Sequence, residues 1–251
     1  MRPFLSVVIP AYNEEENLKR GVLSSVYEYL SKQKYSWEVL LVDDCSTDKT
    51  AKMLSNFARD HSGFRILNEP HRGKAGTVIA GMLSAEGERV LFTDMDQATP
   101  IDQTEKLLSK LENGYDVIIG SRQGRKGAPI TRKLMAYGFT LLRTLILRLP
   151  FKDTQCGFKA FKRVAVNKIL KQMKIFKDGQ KVQGSAVTAG FDLELLYIAR
   201  KLGLRVAEVK VDWFDRGDRG ESGVSPFKDS WEGLRDLVKV RINAILGKYK
   251  I

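Results

Sequence analysis

Over its first 121 residues the chain alternates short, unbroken apolar runs with longer helix-like segments. The runs cover residues 6–9, 38–43, 64–67, 89–93 and 115–120. Between them, helical patterns cover residues 15–31, 48–60, 73–84 and 101–111, with Ser46-Thr47-Asp48 offering cap chemistry for the second. Strands covered on both faces read as continuous apolar runs. Their alternation with helices predicts an α/β fold with a Rossmann-like, mainly parallel sheet and helices on both faces.

Sheets of this kind take ligands in the crevice beyond the carboxyl ends of their strands. The acidic clusters fall there: Asn13-Glu14 after the first run, Asp43-Asp44 after the second and Asp94-Met95-Asp96 after the fourth. Aspartate and asparagine also cap helices and make turns, which accounts for any one cluster but less well for three on one edge. The hard oxygens of Asp94 and Asp96 suit Mg²⁺ or Mn²⁺, which bind through a few carboxylates and the phosphates of a substrate.

The second half is less regular. Residues 131–149 read as an amphipathic helix with an apolar stripe through Leu134, Leu141, Leu145 and Leu149, interrupted by Arg143 and Arg148. A short strand at 157–161, a basic helix to 174, a helix at 191–201 and a strand at 205–211 follow. Pro226 starts a last helix whose periodic apolar face is Phe227, Trp231, Leu234, Val238, Ile242 and Ile245. With neither an internal repeat nor a linker-like stretch, residues 1–251 are expected to form one domain.

Of the two cysteines, neither belongs to a disulfide framework or a metal-knuckle spacing, which points to a reducing compartment; both are expected as small buried side chains. No stretch reaches the roughly 20 apolar residues of a membrane span, and residues 4–9 are too short for a signal-peptide core. The net charge of +12 is concentrated: residues 122–181 hold sixteen Lys or Arg against Asp153 and Asp178. A field so localised implies an anionic partner such as a phosphorylated substrate, an anionic lipid or a nucleic acid. The basic block lacks interleaved exposed aromatics or a recognised motif for nucleic acid, so no nucleic-acid partner is expected. Gly73-Lys74 is followed by Ala75 and so is no P-loop, and Ala11-Tyr12-Asn13-Glu14 stands where a sugar nucleotidyltransferase would show a glycine-rich loop.

Val8-Ile9-Pro10-Ala11-Tyr12-Asn13-Glu14, Leu41-Val42-Asp43-Asp44-Cys45-Ser46-Thr47-Asp48 and Asp94-Met95-Asp96, in this order and spacing, resemble family 2 of the inverting glycosyltransferases, which have the GT-A fold. Gly73-Lys74-Ala75-Gly76, Gly120-Ser121-Arg122, the string 153–159 and the string 191–196 resemble its polyprenyl-phosphate glycosyltransferase branch, which includes the dolichyl-phosphate β-glucosyltransferases. The resemblance implies a catalytic set of Asp153, Arg122, Arg132 and Arg216, the arginines meeting phosphate groups. Pro10, Ala11, Tyr12, Glu14, Asp43, Asp44, Lys74, Asp94 and Met95 would bind the nucleotide-sugar, and Asp94 and Asp96 the metal. It further implies a donor-binding half at 1–121 and a C-terminal, acceptor-binding and membrane-facing elaboration at 122–251. The expected reaction is metal-dependent transfer of a hexose, glucose from UDP-glucose, to a polyprenyl or dolichyl phosphate. The expected location is the anionic cytoplasmic face of a membrane, held peripherally. A hydroxyl acceptor or a GDP-mannose donor is the alternative; a hydroxyl would need a general base, for which Asp153, Asp192 and Glu194 are candidates.

The sequence departs from the family's pattern in three places. Ala98 stands where relatives carry a glutamine that would be a further metal ligand, with Gln97 one residue early. Gly223 replaces a basic residue after Ser222, while Arg219 is an added one. The membrane helices of many relatives have no counterpart in this sequence.

Overall fold

The computed structural model describes residues 2–122, 130–175, 189–214 and 226–250, with side chains left out at 130–137, 189 and 226–232. Arg216 lies outside the described residues, and of Arg132 the backbone alone is described.

The strands are β1 (Leu5–Ala11), β2 (Trp37–Asp43), β3 (Phe64–Asn68), β4 (Arg89–Phe92), β5 (Val117–Arg122), β6 (Lys159–Lys162) and β7 (Val206–Val211). They form one sheet in the order β3-β2-β1-β4-β6-β5-β7. All pairings are parallel except the two made by β6, which runs antiparallel between β4 and β5. The helices are α1 (Glu15–Lys19), α2 (Val22–Ser31), α3 (Thr50–Asp60), α4 (Gly73–Ser84), α5 (Thr104–Glu112), α6 (Ile130–Leu147), α7 (Arg163–Gln172), α8 (Ala189–Lys201) and α9 (Pro226–Ile245). The mainly parallel sheet covered on both faces is as expected. The helix expected at 15–31 is broken, because Gly21 adopts φ +76°, a left-handed conformation that no continuing helix contains.

Strict alternation of side chains sorts the core into two layers. Val8, Leu40, Val42, Val90, Phe92, Val117 and Ile119 meet α4, α7, α8 and α9 through Val78, Met82, Ile169, Leu196 and Leu237. Leu5, Val7, Ile9, Val39, Leu41, Leu91 and Ile118 face the opposite way onto α2, α3 and α5 through Val26, Leu30, Leu54, Leu107 and Leu111. Each such side chain contributes about 1.5–3 kcal/mol on burial.

The stripe read on α6 is turned outward at Leu141 and Leu145, while Leu149, past the end of the helix, is buried. Leu141, Leu142 and Leu145 face outward, 50%, 42% and 68% exposed, while Arg143 is buried at 3%. On α9 the periodic face is likewise turned out at Val238, Ile242 and Ile245, and Leu237 and Val240 are buried instead. α6 packs on α9, and α9 on α8. Among the described residues no helix is long and apolar enough to cross a membrane. Both thiols are free: Cys156 is buried as expected, whereas Cys45 is exposed.

Candidate active site

Register explains why the acidic clusters converge. Ala11 pairs with Asp43, Asp43 with Asn68, and Val8 with Phe92, so β1, β2 and β4 end side by side at one edge. Each chain exit there contains a non-glycine residue in the left-handed region: Asn13 at φ 52°, Cys45 at 61° and Gln97 at 48°. Such residues cost about 1 kcal/mol or more each and persist where surrounding contacts enforce them. The enforcing contacts are present. The Thr47 amide donates to Asn13 Oδ1 at 2.8 Å, the Asn13 amide to Ser46 Oγ at 3.0 Å, and Gln97 Nε2 to the Asp94 carbonyl at 2.8 Å. Gln97 thereby turns back onto its own loop.

At the end of β2, Asp43 is buried and its Oδ2 accepts the Ser46 amide at 3.1 Å, while its buried Oδ1 has no hydrogen-bond partner among the described residues. A desolvated acceptor of this kind calls for a donor from a ligand, such as a ribose hydroxyl or a base N–H. Asp44 is differently occupied, with Oδ2 2.9 Å from His71 Nδ1 and Oδ1 accepting the Arg72 amide at 2.7 Å. His71 in turn stacks on Tyr12, centroids 4.5 Å apart. Asp44 therefore fixes the wall that carries Tyr12. His71 belongs to that wall. Pro10 and Ala11 are buried in β1, and Met95 is 2% exposed with its side chain in the core, so these three border the site through their backbone.

Asp94, Asp96 and Glu14 form the acidic centre. Lys74, from the first turn of α4, places Nζ 2.5 Å from Asp94 Oδ1, and the Asp96 carboxylate accepts the Ala98 amide at 2.9 Å. Burial, together with the charges of Asp96 and Asp94, pushes the Glu14 carboxyl up, against a hydrogen bond from Asn17 and the charge of Lys74. Among the described residues no three metal-ligating side chains cluster tightly enough to enclose a cation. A pair of aspartates leaves room for a substrate's phosphates to complete the coordination.

Because β6 is antiparallel, its first end arrives at the same edge and lays Gly157 on Asp94. A Cβ at Gly157 would collide with the Asp94 carboxylate. Gly157→Ala is expected to push that carboxylate off Lys74 and lower turnover about 10- to 100-fold, the usual size of a disturbed ligand orientation. Thermal unfolding should be nearly unchanged, since the far end of a side chain yields; kinetics beside a melting curve checks both. Beneath the site, Lys159 is fully buried, with Nζ 2.7 Å from Asp192 Oδ1 and bonded to the Cys156 carbonyl. Asp192 is thus held by a buried ammonium. Glu194 accepts the Lys174 and Ile175 amides and the Tyr249 hydroxyl at 2.8–3.2 Å, joining α8 to the segment after α7.

Arg122, at the end of β5, grips Asp153 in bidentate fashion, Nε to Oδ2 at 2.7 Å and Nη2 to Oδ1 at 2.9 Å. Burial alone would raise the Asp153 carboxyl; the Arg122 guanidinium and amide outweigh it and hold the group below its usual range.

Residues 6–170 match Glycosyl transferase family 2. A dolichyl-phosphate beta-glucosyltransferase of Dictyostelium discoideum is 32% identical over 99% of this chain and 77% of its own length. One from Trichomonas vaginalis is 36% identical over 86% of this chain and 65% of its own. Among solved structures, glucosyl-3-phosphoglycerate synthase from Mycobacterium tuberculosis, in complex with Mn²⁺, UDP and glucosyl-3-phosphoglycerate, superposes with a TM-score of 0.62 at 20% identity, covering 95% of this chain and 80% of that one.

Proposed function

The chain belongs to glycosyl transferase family 2, and from that premise we propose that it transfers glucose from UDP-glucose to a polyprenyl or dolichyl phosphate, with inversion, at a membrane surface. Its fold is GT-A and it is a glycosyltransferase. The finer reading draws on the activity named for its relatives and on the site's own chemistry.

The observation that carries the choice of acceptor is the Arg122–Asp153 pair. A hydroxyl acceptor needs a base of elevated pKa to take its proton. Asp153 is held low by Arg122; burial pushes the Asp192 carboxyl up against the charge of Lys159, but its Oδ1 lies 2.7 Å from that fully buried ammonium beneath the site; and the Glu194 carboxylate is filled by backbone amides. A phosphate monoester has a second pKa near 6 and is already a nucleophile at neutral pH. What it requires is a cationic approach past the acidic centre, and Arg122 with the basic residues 122–181 supplies one.

On the donor side, Asp43 Oδ1 would accept from the nucleoside, with Tyr12 and Pro10 lining its base and Lys74 near the diphosphate. Asp94 and Asp96 fit a divalent cation, because the crowded carboxylates that push Glu14 up are an excess of negative charge facing one lysine. Mg²⁺ or Mn²⁺ bound there would offset the charge that builds on the departing diphosphate; the Mn²⁺ in the M. tuberculosis neighbour supports this choice. Residues 1–121 would then serve the donor, and 122–251, with Arg132 and Arg216, the acceptor. The outward leucines of α6 and the outward Val238, Ile242 and Ile245 of α9 support peripheral contact with a membrane, where an isoprenoid phosphate would be met.

The test is incubation with membranes or a polyprenyl phosphate, Mn²⁺ or Mg²⁺, and a panel of labelled nucleotide-sugars. The expected product is an acid-labile lipid-linked glucose made from UDP-glucose; transfer to a hydroxyl acceptor, or from GDP-mannose alone, overturns the reading. Arg122→Ala should lower turnover about 100-fold with donor affinity nearly unchanged. Wild-type kinetics in that variant would remove its phosphate role.

A further inference from the structure

Among the side chains described on α6, Arg143 is turned inward, while Leu141, Leu142 and Leu145 are turned outward. Phe139, Arg143, Ile146 and Leu147 share one face at helical spacing; Phe139, Ile146 and Leu147 pack in the core, and Arg143 sits among them at 3% exposure. A buried guanidinium costs several kcal/mol unless its charge and donors are matched. Among the described residues no carboxylate lies in ion-pair contact with Arg143, and its buried Nε has no partner. Burial pushes the guanidinium below its usual value, and Asp153 and Glu208 offset that only in part at longer range.

Its two remaining nitrogens hold one short stretch of chain. Nη1 donates to Thr154 Oγ1 at 2.9 Å and Nη2 to the Phe151 carbonyl. From the opposite side Glu208, on β7, accepts the Lys152 amide at 2.9 Å and the Asp153 amide at 2.8 Å. Residues 151–154 are thus gripped through their acceptors by a cation and through their amides by an anion. At the centre stands Asp153, whose own oxygens are aimed at Arg122. An apolar residue at 143 would fill the same space without the cost of desolvating a charge, so packing alone does not explain this arginine.

We propose that Arg143 and Glu208 are positioning residues that clamp the 151–154 turn, set the Asp153 carboxylate against Arg122, and tie that pair to the outward-facing helix α6. The clamp acts through Asp153. Its kinetic consequence rests on Arg122 meeting the acceptor phosphate; the clamp itself does not.

The test uses Arg143→Met, Arg143→Lys and Glu208→Gln in the full chain, with three readouts: hydrogen exchange of the peptide covering 149–158, UDP binding with Mn²⁺, and transfer kinetics with a short polyprenyl phosphate. Arg143→Met is expected to speed exchange in that peptide about tenfold and to raise KM for the acceptor about 10- to 100-fold, the range seen when a supporting contact is lost. UDP affinity and donor KM should stay within about twofold. Arg143→Lys should recover part of the loss, since an ammonium reaches Thr154 or Phe151 but lacks the planar fork that spans both. Arg143→Met added to Asp153→Asn should cost little more than Asp153→Asn alone, because the two act on one contact. Unchanged exchange at 149–158, equal losses for donor and acceptor, or additive losses would overturn the proposal. If Arg143→Met does not fold, Glu208→Gln, which keeps one acceptor oxygen, carries the same three readouts. Should the wild type transfer to no lipid phosphate, the functional reading fails, while exchange and UDP binding still decide the clamp.

Discussion

Asp94→Asn is expected to reduce transfer about a thousandfold while leaving the protein folded. The side chain is 33% exposed and lies at a strand exit, so its removal takes little from the core. Its charge matters more. Asp94 is the carboxylate that Lys74 approaches at 2.5 Å, that Gly157 is shaped to admit, and whose charge helps push Glu14 up. With Asp94 and Asp96 proposed as the two hard ligands, removing one would take away several kcal/mol of the stabilisation a divalent ion would give to a leaving diphosphate, and about 4 kcal/mol corresponds to a thousandfold in rate. Turnover at saturating UDP-glucose, a Mn²⁺ titration and a melting curve measure the three parts. Near-wild-type turnover, or Mn²⁺ binding of undiminished affinity, would contradict the assignment of Asp94 and Asp96 to the metal.

Asp153→Asn is expected to cost both stability and activity. The Arg122–Asp153 pair is 14% and 15% exposed at its side chains, and breaking one partner of a largely buried pair leaves an uncompensated charge. An asparagine keeps one acceptor but turns an amide toward the guanidinium. The loss should be about 3 kcal/mol, which at roughly 2–4 °C per kcal/mol lowers Tm by about 8 °C. The dependence on pH has a definite sign. Asp153 has its carboxyl lowered on folding, so its contribution is present above its unfolded value and is lost as pH falls through the folded one. The stability gap between wild type and variant should therefore be widest near neutrality and close in acid. A gap independent of pH would show that the pair's charge is not what stabilises this turn. Turnover should fall with it, because Arg122 loses the contact that orients it.

Much of the fold was legible because it is written locally. Val7, Val8, Ile9, Leu40, Leu41 and Val42 are apolar on both faces of their strands, which only a doubly covered sheet accommodates. The acidic clusters then had to fall at the carboxyl edge, and they do. Gln97 shows the limit of reading a site from spacing: its identity suggested a displaced ligand, but its left-handed backbone folds the side chain back on Thr93 and Asp94. Met95 and Ala11 occupy motif positions, yet their side chains are core. His71 carried no local signal, the string that contains Gly157 gave no hint of what that glycine touches, and Glu208 carried no signal either. Their partners, Asp44, Asp94 and the Lys152–Asp153 amides, lie 27, 63 and up to 56 residues away in sequence.

The sequence by itself determined the class of fold and the edge on which the acidic clusters gather, because hydrophobic period and strand ends are properties of a few consecutive residues. The tertiary structure alone decided that β6 enters antiparallel and lays Gly157 on Asp94, that Asp153 is locked by Arg122 rather than available as a base, and that α6 buries Arg143 and exposes Leu141 and Leu145. A helix apolar on more than one side carries no internal mark of which face meets the core. That is settled by what stands opposite, and here the Phe151 carbonyl and the Thr154 hydroxyl stand opposite Arg143, with Glu208 holding the far side of their turn.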